Sequence, residues 1–117
     1  MTQQITSVTT DSEIVNLWLQ QRSANTYRQY HSIAGQLLEF TGKPLAELKL
    51  EDLTLWVRSL ELRYKPATVA NKVMVIKSLF TFGSKVGYLS LNIGSLLKRP
   101  KTKDELSENE TRSIRLQ

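Results

Sequence analysis

The sequence predicts an all-α protein, a four- to five-helix bundle, on three observations. Apolar residues recur at three- and four-residue spacing along several segments. Helix start and stop signals bracket those segments at ordinary helical lengths. No segment sustains the period-two alternation of a half-buried strand, so no sheet is expected. With 117 residues, of which 40% are hydrophobic, the chain can build one core without metals or crosslinks.

The elements follow in order. Residues 1–9 are rich in Thr, Gln and Ser and are read as a loose arm. Thr10-Asp11-Ser12-Glu13 matches a capping box, in which hydroxyl and carboxylate satisfy free backbone N–H groups. Ile14, Leu17 and Trp18 supply the apolar stripe of a first helix running to about Arg22. Ser23 caps a second helix over roughly 24–41, with Thr26, Tyr30, Ile33, Leu37 and Phe40 inward, and Gly42 ends it where a left-handed residue is needed. After a turn at Lys43-Pro44, a third helix turns Leu53, Trp56, Val57 and Leu60 inward and carries acidic residues in its first turn, where the helix dipole favours them. Pro66 opens a fourth helix, 66–86, that Gly87 stops. Leu91–Leu97 reads as one further short helix, and 98–106 as a basic linker around Lys98-Arg99-Pro100-Lys101-Thr102-Lys103. Ser107-Glu108-Asn109-Glu110 is a second capping box, followed by Ile114 and Leu116. Residues 107–117 are therefore read as the start of a truncated further domain, a frayed tail being the alternative.

Composition excludes several chemistries. The chain has no cysteine, which removes disulfides, thiolate nucleophiles and cysteine-ligated zinc and fits a reducing compartment. Met1–Thr6 has neither a positive nor an apolar signal region, and no apolar run reaches membrane-spanning length. A soluble cytoplasmic protein is the expectation.

The formal charge of +5 is unevenly distributed. Residues 1–60 carry a net −1, residues 61–103 a net +8 and residues 104–117 a net −2. Such clustering is the footprint of a polyanionic partner, a solvated lysine-rich face being the alternative. The fourth helix lies within the basic third. On it Val69, Val73, Ile76 and Phe80 repeat as one buried stripe, and Thr68, Asn71, Val75 and Ser78 are expected to point the opposite way. Small uncharged polar side chains flanked by Lys65, Lys72 and Lys77 suit a groove of nucleic acid. Thr68, Asn71 and Ser78 can donate to phosphates or base edges, the lysines can approach phosphates, and Val75 can meet a thymine methyl. On the second helix, outward Asn25, Arg28, Gln29 and Ser32 form another candidate face, with Thr26 near the amino end, where backbone N–H groups favour a phosphate. Lys98, Arg99, Lys101 and Lys103 would follow the phosphate backbone.

Ser23-Ala24-Asn25-Thr26-Tyr27-Arg28-Gln29-Tyr30, Leu37-Leu38-Glu39-Phe40-Thr41-Gly42, Lys43-Pro44-Leu45-Ala46-Glu47-Leu48, Leu50-Glu51-Asp52-Leu53 and Pro66-Ala67-Thr68-Val69 through Ser78-Leu79-Phe80 occur in an order and spacing that resemble the core-binding domain of tyrosine recombinases and phage integrases, including the Xer type. The resemblance covers roughly residues 10–105. It implies a SAM-like orthogonal helical bundle, here 10–97, that arches over one face of double-stranded DNA while a separate catalytic domain grips the other. It also implies that 107–117 begin that catalytic domain of the same polypeptide, that full-length protomers assemble in a synaptic tetramer, and that the protein is nucleoid-associated. Departures are Lys65, where the family commonly has serine or threonine, Asn71 in place of a frequent basic residue, and Ile93 in place of a usual proline.

In that family strand cleavage needs a tyrosine nucleophile supported by arginines and histidine, residues of the catalytic domain. Tyr27, Tyr30, Tyr64 and Tyr88 are read as packing residues with wet hydroxyls, and His31 as a boundary residue without a second ligand at metal spacing. No Gly-rich phosphate loop or zinc spacing occurs. The chain alone is thus expected to bind without catalysing, to need no cofactor or metal, and to be monomeric as an isolated domain. A stand-alone helical DNA-binding regulator and a helical protein-interaction module are the alternatives.

Overall fold

The structure is a computed structural model and describes residues 6–98. Four α-helices make up most of it, namely α1 (Asp11–Leu19), α2 (Ala24–Thr41), α3 (Leu50–Glu61) and α4 (Pro66–Lys85). Two 3-10 turns follow α2 and α4, at Leu45–Glu47 and Ile93–Leu96. The described residues contain no strand. The architecture is all-α, and the expected fifth helix is reduced to the second of these turns. Arg99, Lys101 and Lys103, most of the basic linker and the whole of 107–117 lie outside the described residues.

Local signals set the boundaries. Thr10 and Glu13 form the reciprocal box, the Thr10 hydroxyl accepting from the Glu13 N–H at 3.2 Å and the Glu13 carboxylate accepting from the Thr10 N–H at 3.2 Å. The Ser23 hydroxyl accepts from the Thr26 N–H at 3.3 Å, and Gly42 closes α2 with φ 63°. Beyond the first helix the expectation fails by three residues. Leu19 is its last buried anchor, and the exposed Gln20-Gln21-Arg22 tighten into a turn through three-residue bonds such as Arg22 N–H to Leu19 C=O. Before it, Val8 packs against the core and the Thr9 N–H donates to Glu13.

α4 is the centre of the bundle, packing against α1, α2, α3 and the second 3-10 turn. Nine of its positions are buried: Val69, Ala70, Lys72, Val73, Val75, Ile76, Leu79, Phe80 and Gly83. Around it Ile14, Trp18 and Leu19 of α1, Ile33, Ala34 and Leu37 of α2, and Leu53, Trp56 and Leu60 of α3 complete the core. Each such large side chain removed from water contributes about 1.5–3 kcal/mol before the entropic cost of ordering it. On α2 the buried face centres on the Tyr30, Ala34, Leu37 and Thr41 row. Phe40, expected inside, falls at its margin and is 49% exposed.

Asp11 ties together three distant parts of the chain. Its carboxylate accepts the Leu45 N–H at 2.8 Å and the Tyr88 hydroxyl at 2.5 Å. The first 3-10 turn and the segment after α4 are thereby held against the start of α1. Close approach also fixes the second turn, because a Cβ at Gly94 would stand 2.8 Å from the Phe80 Cβ, a rigid neighbour.

Gly94→Ala is therefore expected to cost about 1–3 kcal/mol by overpacking, read as a lower urea midpoint with an unchanged slope. Burial, then the Asp11 hydrogen bond and charge, hold the Tyr88 phenol well above its ordinary range. A raised pKa favours the protonated folded form, so this contribution is complete below the ordinary phenol value of about 10 and is lost as pH rises beyond it. Urea titrations between pH 8 and 11 should show stability falling more steeply in the wild type than in Tyr88→Phe; parallel curves would exclude Tyr88 as a source of the fall.

Candidate nucleic-acid interface

The polar face of α2 repeats at helical spacing. Asn25, Gln29, Ser32 and Gln36 lie at i, i+4, i+7 and i+11, with Arg28 beside them. The amino-terminal half of α4 runs alongside and presents Thr68, Asn71 and Lys72 at i, i+3 and i+4. Together these side chains, with Ile33 at the base, line an open groove of about 460 Å³. Seven residues expected from the sequence to face nucleic acid thus converge there: Asn25, Arg28, Gln29, Ser32, Thr68, Asn71 and Lys72.

Lys72 is the organising residue. It is only 9% exposed, yet its ammonium reaches the groove lining. The Nζ donates to the Gln36 Oε1 at 2.8 Å and stands 4.7 Å from the centre of the Tyr64 ring. Gln36 in turn donates through Nε2 to the Ser32 Oγ at 3.3 Å. The cation is thus oriented by an amide and a π face, neither of which neutralises it. Arg28 supplies a second, exposed cation, and no Asp or Glu lines the groove. Such a surface offers fixed positive charge with amide and hydroxyl groups between, able to accept phosphates and to donate to or accept from base edges. Gln36 was missed at the sequence level, although its position on the Asn25 to Ser32 row was the signal that could have found it.

The remaining expected contacts lie elsewhere. Val75 is 2% exposed and belongs to the core, a correction that follows from α4 being covered on several sides. Lys77 Nζ donates to the Leu97 carbonyl at 2.5 Å and fastens the chain that leaves the second 3-10 turn. Ser78 accepts the Trp18 indole N–H at 3.2 Å and faces a different groove, between α1 and α4. Thr26 accepts from the Ser23 hydroxyl at 3.1 Å in the α2 cap and does not line the groove. Lys65 is exposed just ahead of α4, outside the groove lining, and Lys98 is exposed past Leu97.

The tyrosines pack against the protein, but the Tyr88 hydroxyl, expected to be wet, is instead taken up by Asp11, and His31 is exposed. Tyr27 donates to the Asn16 Oδ1 at 2.7 Å and stacks on the exposed His31, and Tyr30 stacks on Trp18. Among the described residues no group of three or more His, Cys, Asp or Glu side chains is placed to hold a metal ion, and no helix is long and apolar enough to cross a membrane. No protein-family model matches the chain, and neither the curated proteins nor the solved structures compared with it include a match.

The bond from Lys77 separates a fastening role from a binding one. Lys77→Met is expected to lower stability by about 1.5 kcal/mol, the range of a hydrogen bond to a charged group, while leaving the salt dependence of duplex binding unchanged. A changed salt slope with unchanged stability would return Lys77 to the binding surface.

Proposed function

We propose that this chain is the DNA-binding domain of a site-specific tyrosine recombinase or phage integrase, gripping one face of duplex DNA at the recombination site. The observation that carries the reading is the α2–α4 groove, where seven side chains singled out from the sequence meet, two of them cations, with no carboxylate. The net +8 of residues 61–103 and the resemblance of residues 10–105 to the core-binding domain support it. In this reading Arg28 and Lys72 meet phosphates, and Asn71, Gln29 and Asn25 reach base edges, where amides pair well with adenine. Thr68 and Ser32 position the backbone. Lys98 and the basic residues after it follow the phosphates toward a catalytic domain of the same polypeptide, which performs cleavage and rejoining. This chain supplies grip and no chemistry, and the full-length protein acts as protomers of a synaptic tetramer in the cytoplasm, on the nucleoid.

The groove favours nucleic acid over a protein helix as its occupant. The large exposed apolar side chains Phe40, Leu55, Leu62, Met74, Leu91 and Leu96 do not line it.

Fluorescence anisotropy with random 20-base-pair duplexes tests the proposal. If about four to six phosphates are neutralised, log K falls against log salt with a slope of about −4 to −5, and the dissociation constant at physiological salt is on the order of 10⁻⁴ to 10⁻⁶ M. A titration that stays flat at low salt would overturn it. Lys72→Ala is expected to weaken binding to all sequences alike and to flatten the slope by about one unit; an unchanged slope removes Lys72 from the DNA-binding surface.

A further inference from the structure

A second and larger groove, of about 900 Å³, lies between the end of α1 and the carboxyl-terminal half of α4. Gln21 and Arg22 stand on one side of it, and Ser78, Thr81 and Lys85 on the other. No Asp or Glu lines it, and neither Arg22 nor Lys85 enters an ion pair among the described residues. Arg22 is held in place, its guanidinium 5.5 Å from the centre of the Tyr30 ring, which itself stacks on Trp18 at 5.5 Å.

The two grooves share one edge of α4. Asn71, Met74, Ser78, Thr81 and Lys85 follow one another at spacings of three and four, so they form a single row along the helix. Asn71 lies at the first groove and Lys85 at the second. Fourteen residues at 1.5 Å each separate them by about 21 Å, the length of about six steps of a DNA strand at 3.4 Å per charge. The row is uncharged from Asn71 to Thr81, with Lys72 and Arg28 beside its first end and Lys85 at the other, and none of its side chains opposes a passing polyanion.

We propose that the second groove is a further binding site for the sugar-phosphate backbone of duplex DNA, with Arg22 and Lys85 meeting its phosphates. The site rests on the reading of the α2–α4 groove as a nucleic-acid interface and extends it along α4. One duplex then touches both grooves.

Salt titrations on a random 20-base-pair duplex test this with two separate variants. Arg22→Gln/Lys85→Gln is expected to flatten the slope by about two units, one for each phosphate that is no longer neutralised, with little change in urea midpoint. Lys85→Glu alone, at an exposed position, is expected to flatten it by more than one, and Arg22→Lys/Lys85→Arg to restore it. Arg28→Gln, in the first groove, should flatten the slope by about one on its own account. A slope that Arg28→Gln flattens and Arg22→Gln/Lys85→Gln leaves intact overturns the second site alone. The reverse pattern keeps the second site and overturns the first, and a wild type that binds no duplex overturns both.

Discussion

Everything in this fold hangs on the burial of α4. Three helices and a 3-10 turn pack on it, and nine of its twenty residues leave solvent. A helix covered on several sides cannot present a broad binding face. It retains a narrow edge, and each neighbour that flanks the edge forms a groove with it, α2 toward the amino end and α1 toward the carboxyl end. The same packing explains why Val75, Lys77 and Ser78 are taken up by contacts within the protein: one fills the core, one fastens the exit of the chain, and one satisfies an indole N–H.

Local chemistry made most of the fold readable from the sequence, and non-local packing hid the rest. Thr10 with Glu13, Ser23, Gly42 and Pro66 act within one helical turn, so their residue types sufficed to place the start of α1, both ends of α2 and the start of α4 within a residue or so. The orientation of α4 was harder. Val69, Val73, Ile76 and Phe80 form a convincing stripe, but Ala70, Val75 and Leu79 are buried as well, and a stripe argument presumes one covered face. Asp11 reads locally as a first-turn acid favoured by the helix dipole. Its bonds to Leu45 and Tyr88 depend on how the chain returns 34 and 77 residues later.

For the candidate site the division is similar. Polar residues on α2 were recognised because they repeat on an exposed face, and their meeting with Thr68, Asn71 and Lys72 follows from the packing of α2 on α4. Gln36 escaped notice because its role is to bridge Ser32 and Lys72 across two helices. What results is a surface where charge is sparse and fixed while amides are plentiful. Long-range attraction there is modest, and discrimination falls to hydrogen-bond geometry.

The clamp on Lys72 has an entropic side. A free lysine samples many rotamers, and immobilising one at an interface costs about 0.5–1.5 kcal/mol. Gln36 and Tyr64 have already exacted that entropy when the chain folds. An anion that met this ammonium would find it already ordered, and the side-chain entropy would not count against the complex.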